Sequence, residues 1–221
     1  MSHSDHHDSD DEYYERIRTL LEDAYVSADE RGDVFGGSGS KGEDMTSWEA
    51  KRRVIACAFD RAGTWLDVGC ANGLLMETLT AWVAESGHSV EPYGLDLSQR
   101  IAERARKRLP HWATRIWTGN VMKFEPPIRF DYVTVLADAV PIQSRGALLR
   151  RIARLYLKPG GRLILSCYRP GGFLLGKPAL EAESASEILR AEGFDPVGEA
   201  QVRDPVTGAA KVRVAWFDVD R

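Results

Sequence analysis

From residue 64 onward, short β-rich segments alternate with helical segments, and this alternation limits the folds open to the chain. The segments with strand character are TWLDV (64–68), VEPYGLD (90–96), TRIWT (114–118), FDYVTVL (130–136) and GRLILSCY (161–168). Helical segments near 74–86, 98–108 and 144–156 lie between them. Apolar strands separated by helices form βαβ units, in which helices cover both faces of a parallel sheet. The alternation therefore predicts an α/β fold.

The end of the chain has a different pattern, because two β-rich segments follow each other across a short turn. A helix near 180–192 leads to DPVGEAQVR, the turn DPVTG follows, and AKVRVAWFDVD completes the pair. Two strands joined in this way form an antiparallel hairpin. We therefore predict a doubly wound, seven-stranded, mostly parallel sheet with a C-terminal antiparallel hairpin, in a three-layer α/β/α sandwich.

The part of the chain before residue 64 is predicted to be separate from this sheet. Residues 1–11 have almost nothing to bury, so we expect a disordered tail. Residues 12–29 show apolar side chains at helical spacing, and a Gly/Ser-rich loop separates them from a second helix. Thr46 and Glu49 have the spacing of a capping box at the start of that helix. We expect residues 12–63 to form a helical lid and residues 64–221 to form the α/β domain.

Composition and charge exclude several kinds of protein. The 221 residues carry a formal net charge of -4, so no basic excess points to nucleic acid or to an anionic membrane surface. No apolar run approaches the roughly 20 residues of a membrane span, and the first residues are too polar for a signal peptide. Cys57, Cys70 and Cys167 are widely spaced, which is typical of reduced thiols in a cytoplasmic protein.

The segment LDVGCANGLL, at the end of the first predicted strand, is the strongest candidate for a ligand site. Ligands of doubly wound sheets bind beyond the carboxyl ends of the strands, where a glycine-rich turn lets them approach the backbone. Asp67 lies inside the apolar run, and Asp96 ends the second strand, where an acid accepts hydrogen bonds from ribose hydroxyls. The spacing from Gly69 to Gly73 differs from the G-x-G-x-x-G pattern of dinucleotide sites.

The run from Asp67 to Gly73 resembles the first motif of the class I, Rossmann-like S-adenosylmethionine-dependent methyltransferases: an acid, one residue, then G-x-G-x-G. Ala71 stands at the middle glycine, and we expect a tighter turn with the site retained. The resemblance covers roughly residues 46–219 and includes Gly119-Asn120-Val121, FDYVTVLAD and LKPGGRLIL. It implies S-adenosyl-L-methionine as the methyl donor and S-adenosyl-L-homocysteine as the product.

The resemblance also implies which residues bind the cofactor. They are Asp67, Gly69, Cys70, Ala71, Asn72, Gly73, Asp96, Leu97, Asn120, Val121 and Ala137. Asp67 would order the glycine-rich turn and help to place the amino group of the cofactor. Asn120 stands where the family usually has an acid, and its amide oxygen would accept a hydrogen bond from the adenine amino group.

Asp138, directly after the fourth strand, is the candidate catalytic residue, either as a base or as a contact for the acceptor. The alternative is that it caps a helix or forms a loop hydrogen bond. His88 and His111 each precede a strand, so we expect them at the amino edge of the sheet, away from the chemistry. Cys167-Tyr168 stands where metal-dependent catechol methyltransferases carry an Asp-Asn pair, so we expect no metal and a metal-independent transfer.

The residues leave three functions open. The first is methyl transfer to an oxygen or nitrogen of a small molecule. The second is methylation of RNA or protein, which would require the arginine-rich helices around Arg104–Arg108 and Arg145–Arg154 to lie beside the cofactor. The third is a non-catalytic binder of S-adenosylmethionine or another nucleotide. Trp48 and Arg52, one helical turn apart, contribute either to packing or to a contact with the cofactor carboxylate.

Overall fold

A computed structural model describes residues 10–30, 32, 44–169 and 181–220, and it contains the predicted seven-stranded sheet. The strands are β1 (Gly63–Val68), β2 (Val90–Asp96), β3 (Ile116–Thr118), β4 (Phe130–Leu136), β5 (Leu157–Tyr168), β6 (Gly198–Arg203) and β7 (Ala210–Asp218). Their order across the sheet is β3-β2-β1-β4-β5-β7-β6. Strands β1 to β5 run parallel, while β7 is antiparallel to both β5 and β6. The predicted fold class is therefore confirmed.

Six α-helices lie among the described residues, and those of the α/β domain alternate with the strands. They are α1 (Asp10–Glu30), α2 (Met45–Arg52), α3 (Leu74–Glu85), α4 (Gln99–Arg108), α5 (Arg145–Arg151) and α6 (Ala185–Ala191). Shorter 3-10 segments cover Arg53–Ala58, Pro110–Arg115 and Ile142–Ser144, and a π-helical turn covers Ile152–Tyr156. Within the part of the chain that is described, no helix is both long and apolar enough to cross a membrane.

Several predicted boundaries were wrong for local reasons. The third strand begins at Ile116 rather than at residue 114, because Pro110–Arg115 form a 3-10 segment that starts at the proline. Helix α1 begins at Asp10 rather than at residue 12, and its acidic first turn suits the helix dipole. The rest of the predicted tail, residues 1–9, lies outside the described residues. So do most of the Gly/Ser-rich loop and the segment 170–180.

The start of α2 also differs from the predicted capping box. Asp44 is the N-cap, and its side chain accepts a hydrogen bond of 2.8 Å from the backbone N–H of Ser47. The Thr46–Glu49 pair therefore lies inside the helix, with Thr46 two residues beyond the cap. Trp48 and Ile55 are nearly fully buried, so this part of the chain is anchored in the core against β1 and α3.

The core lies on both faces of the central strands. In β4, Tyr132 and Val133 point to opposite faces of the sheet, and both are completely buried. The edge strand β6 instead alternates partly buried and exposed residues. Burial on both faces fixes the carboxyl ends of β1, β2 and β4 in relation to one another, and these ends carry the predicted site residues.

Candidate functional site

The glycine-rich turn after β1 is open at its first glycine and tightly packed at its last. Gly69 has a φ of 82°, and a Cβ atom at this position would have no atom within 4 Å. Gly73 has a φ of 78°, but a Cβ there would lie 2.6 Å from Cδ1 of Leu109. The bare backbone at Gly69 therefore leaves space for a ligand, whereas Gly73 lets the start of α3 pack closely against the residue after α4.

Ala71 holds a backbone conformation that usually requires glycine. Its φ is 50°, and it is the one non-glycine residue with a positive φ in the described part of the chain. The left-handed conformation costs an alanine about 1–2 kcal/mol. The backbone N–H of Ala71 donates a hydrogen bond of 2.9 Å to Oδ2 of Asp96, which offsets part of this cost. Asp96, the last residue of β2, thus holds the turn that contains Ala71 in place.

Asp96 joins the ends of β2 and β1 through its two carboxylate oxygens. Oδ2 accepts from Ala71, and Oδ1 accepts from the backbone N–H of Ser98 at 2.9 Å. Burial raises the pKa of Asp96 to about 6, although the two N–H donors act in the opposite direction. Each oxygen keeps a lone pair, so the carboxylate can accept further hydrogen bonds from a ligand.

Asp67 is the second buried acid, and burial raises its pKa to about 7. Its Oδ1 accepts a hydrogen bond of 2.9 Å from Oγ1 of Thr134 on β4, which in turn accepts one of 2.9 Å from Nε1 of Trp65. No lysine or arginine among the described residues forms an ion pair with Asp67 or Asp96. Burying an ionised carboxylate without a paired cation is unfavourable in free energy. A cationic ligand group would therefore stabilise the ionised forms of these two acids.

Both acids line a cavity of about 890 Å³ at the carboxyl edge of the sheet. Of the predicted residues, those that line it are Asp67, Gly69, Cys70, Ala71, Asn72, Asp96, Leu97, Asn120, Val121 and Asp138. Gly73 and Ala137 do not line it. Gly73 serves the packing described above, and Ala137 is buried, with its carbonyl accepting a hydrogen bond of 2.9 Å from Nε of Arg145. Leu136 and Asp138, on either side of Ala137, face the cavity instead.

Asn120 closes the turn after β3 with its own side chain. Its Oδ1 accepts a hydrogen bond of 2.8 Å from the backbone N–H of Met122. The amide oxygen that was expected to face the adenine group therefore already holds the turn, and it keeps one lone pair for a ligand. Tyr14 of α1 lines the cavity together with Asn120.

Asp138 lines the cavity, and it does not cap a helix. The 3-10 segment Ile142–Ser144 begins after Pro141, and α5 begins after Ser144. Burial of its carboxyl group raises the pKa of Asp138, while nearby Arg145 acts to lower it. The backbone carbonyl of Asp138 accepts a hydrogen bond of 2.7 Å from the Tyr13 hydroxyl of α1. The candidate base therefore lies at the cavity, and its pKa is raised.

Helices α1 and α2 cover part of the cavity. The residues that they contribute are Tyr14, Ile17, Arg18, Leu21, Tyr25, Trp48, Lys51 and Arg52. Glu22 connects α1 with the start of α4. Its carboxylate accepts a hydrogen bond of 2.6 Å from Oγ of Ser98, the N-cap residue of α4. The guanidinium of Arg52 lies 4.5 Å from the ring centre of Trp48 and 5.2 Å from that of Tyr168. These cation–π contacts favour the packing role for Trp48 and Arg52.

The cavity also has a wall that the sequence did not indicate. Thr207, Ala209 and Lys211 of the terminal hairpin line it together with Glu181. The sequence predicted the hairpin but not the pairing of β7 with β5, which brings the β6–β7 turn to the same edge as Tyr168. His88 and His111 do not line the cavity, in agreement with their predicted place at the amino edge. Within the described ranges, no group of three or more potential metal-ligating side chains is placed to hold an ion.

Comparison with known proteins connects this geometry with a family. Residues 66–161 match the family described as "Methyltransferase domain". No curated protein matches the sequence at a significant level.

Solved structures with the same fold include three methyltransferases. The N-methyltransferase NodS from Bradyrhizobium japonicum, in complex with S-adenosylhomocysteine, is 16% identical, with a TM-score of 0.64 over 95% of this chain and 99% of that chain. The 1,6-didemethyltoxoflavin-N1-methyltransferase of Burkholderia thailandensis is 22% identical, with a TM-score of 0.62 over 97% and 92%. The mitomycin 7-O-methyltransferase MmcR is 21% identical, with a TM-score of 0.61 over 92% and 60%.

Proposed function

We propose that this chain is a class I S-adenosylmethionine-dependent methyltransferase and that it methylates an oxygen or nitrogen atom of a small molecule. The observation that carries the proposal is the extent of the cavity. It runs from the turn after β1 and the ends of β2 and β3 to Asp138, Tyr168 and the terminal hairpin. Its volume of about 890 Å³ lies within the range typical of small-molecule sites.

The residues on the β1–β3 side fit the cofactor. Gly69 offers open space at the backbone, and Asp67 and Asp96 are buried acids without a paired cation among the described residues. Asp67 would accept hydrogen bonds from the cofactor's ammonium group, and Asp96 would accept them from the ribose hydroxyls. When bound, S-adenosyl-L-methionine supplies an electrophilic methyl group on a sulfonium sulfur.

The residues on the other side of the cavity would align the acceptor and exclude water. Much of the rate of an in-line methyl transfer comes from alignment of the two reactants. Asp138 would take the proton from the attacking oxygen or nitrogen, and the burial that raises its pKa makes it a stronger base than a fully hydrated carboxylate. Helix α1, which lies over the cavity, would limit the access of water.

The arginine-rich helices give little support to an RNA acceptor. Arg106 donates hydrogen bonds of 3.0 Å to the carbonyl of Ile116 and to Oγ1 of Thr118. Arg151 donates to the carbonyls of Val121 and Phe124, and Arg145 pairs with Glu183 at 2.7 Å. None of these arginines lines the cavity, so within the described chain they stabilise the fold rather than form a basic surface beside the site.

A labelled-methyl assay tests the proposal. The protein is incubated with S-adenosyl-L-methionine carrying a labelled methyl group and with separate small-molecule, RNA and protein fractions of a cell extract. We expect label in the small-molecule fraction and S-adenosyl-L-homocysteine as the co-product. Label in RNA or protein alone would contradict the small-molecule acceptor. Binding of S-adenosyl-L-homocysteine without label in any fraction would instead favour the non-catalytic binder.

A further inference from the structure

The wall of the cavity formed by β5 and β7 carries two cations that face each other. Arg169 follows β5, and its backbone N–H donates a hydrogen bond of 2.8 Å to the carbonyl of Lys211 on β7. The preceding pair in the antiparallel register is Tyr168 opposite Val212, so Arg169 lies directly opposite Lys211. Opposite residues of an antiparallel pair project to the same face, and both residues line the cavity.

Like charges in this arrangement are unfavourable unless an anion lies close to them. Lys211 has one such partner, since its Nζ lies 3.0 Å from Oδ2 of Asp204. Glu181, which also lines the cavity, is paired with Arg213. Within residues 10–30, 32, 44–169 and 181–220, no carboxylate pairs with Arg169. The wall therefore holds a net positive charge that faces the cavity.

The strand order places this wall away from the cofactor. The residues expected to hold the cofactor end β1, β2 and β3, which extend to one side of the sheet from β1. Strands β4, β5 and β7 follow on the other side. With a spacing of about 4.8 Å between neighbouring strands, β5 and β7 lie about 10 and 14 Å from β1. A cation on these two strands therefore faces the part of the cavity that is left for the acceptor.

We propose that Arg169 and Lys211 bind an anionic group of the acceptor, so that the substrate is a small molecule carrying a carboxylate or a phosphate. The planar guanidinium of Arg169 can donate two parallel hydrogen bonds to such a group. Lys211 adds a compact charge whose position is fixed by Asp204. The inference rests on the proposed small-molecule acceptor and specifies its chemical class.

Binding of simple probes to the protein saturated with S-adenosyl-L-homocysteine tests this inference. The probes are benzoate, phenyl phosphate and the neutral benzamide, measured by titration calorimetry. We expect benzoate or phenyl phosphate to bind at least about tenfold more tightly than benzamide, as is usual for hydrogen bonds to a charged group. The double variant Arg169→Gln/Lys211→Met should lose this preference.

A matched double variant controls for the change in net charge. Arg190→Gln/Lys107→Met removes the same two charges from exposed helical positions that do not line the cavity, so it should keep the preference. The affinity for S-adenosyl-L-homocysteine should stay within about twofold in both double variants. Absence of this binding in the unaltered protein would contradict the proposed function itself. Normal binding with no preference for either anion, or a preference that survives in Arg169→Gln/Lys211→Met, would overturn the anionic acceptor.

Discussion

The carboxylate of Asp96, at the end of β2, accepts a hydrogen bond of 2.9 Å from the backbone N–H of Ala71, in the turn after β1. This bond joins the two strand ends that flank the cofactor side of the cavity. It also holds Ala71 at a φ of 50°. The residue expected to contact the ribose therefore also shapes the turn that the cofactor approaches, and substitutions at either position report on both roles.

Asp96→Ala should weaken the binding of S-adenosyl-L-homocysteine by about ten- to a hundredfold, because hydrogen-bond acceptors for the ribose and for Ala71 are lost. Titration calorimetry measures the effect. Asp131→Ala is a suitable control, since Asp131 accepts a hydrogen bond of 2.7 Å from the backbone N–H of Thr64 and pairs with Lys158, at the amino ends of the strands. Asp131→Ala should lower the free energy of unfolding without changing the affinity for S-adenosyl-L-homocysteine. Unchanged affinity in Asp96→Ala would remove Asp96 from the binding site.

Asp67 and Asp96 should make stability and cofactor binding depend on pH in opposite directions. Their pKa values, about 7 and about 6, exceed those of the unfolded chain, so the folded state binds more protons. Their contribution to stability is complete below pH about 4 and is lost as the pH rises through about 6–7. A ligand that needs the ionised acids binds more tightly as the pH rises through the same window.

Thermal unfolding with and without S-adenosyl-L-homocysteine checks both directions. The rise in Tm caused by the ligand should be larger at pH about 8 than at pH about 5. In Asp67→Asn this difference between the two pH values should become smaller, because the asparagine does not titrate. A rise in Tm that is the same at both pH values would show that neither acid is ionised on binding.

Ala71→Gly should stabilise the ligand-free protein by about 0.5–1 kcal/mol, because glycine adopts a positive φ without the steric cost that alanine has. Denaturant unfolding measures the change. Ala81→Gly, at an exposed position in α3, should instead destabilise the protein by about 1 kcal/mol. If both variants lose stability to a similar extent, Ala71 is not strained in the folded protein.

The strands that flank the site could be predicted well from the sequence. Both β2 and β4 have the bounds that were predicted, Val90–Asp96 and Phe130–Leu136, because they are apolar segments that end at turn residues. The positions of Asp96 and Asp138 followed from these bounds. The start of α2 was harder to predict, because two residues of types that favour the N-cap, Asp44 and Thr46, lie within one turn of each other. Asp44 is the one that caps the helix.

The β5–β7 wall could not be predicted, because it depends on strand pairing over a long distance in sequence. Nothing near Lys211 indicates that it lies opposite Arg169. The sequence indicated a hairpin but not the strand beside which it lies. The same limitation applies to α1, whose apolar spacing predicted a helix but gave no sign that Tyr13 reaches the carbonyl of Asp138.

Asp138→Asn should lower kcat by roughly a hundredfold or more if Asp138 is the base, while the affinity for S-adenosyl-L-homocysteine stays the same. The amide cannot take a proton, although its shape is nearly that of the acid. Asp195→Asn, an exposed change before β6, should leave kcat unchanged. Steady-state kinetics with and without a chelator, once an acceptor is found, measure both properties. Full activity in Asp138→Asn would exclude the base, and inhibition by the chelator would contradict the metal-independent transfer.

Within residues 12–63, which were expected to form a lid, helix α1 lies over the cavity. The hydroxyl of Ser98 donates a hydrogen bond of 2.6 Å to the carboxylate of Glu22 and holds α1 there. Glu22→Ala removes this bond and the ion pair with Arg100, so α1 should open more often. We expect faster amide hydrogen exchange in α1 and faster dissociation of S-adenosyl-L-homocysteine. Glu15→Ala, which removes only an exposed pair with Arg18 inside α1, should change neither rate. Exchange in α1 that is equally fast with and without the ligand would show that the helix does not close over the site.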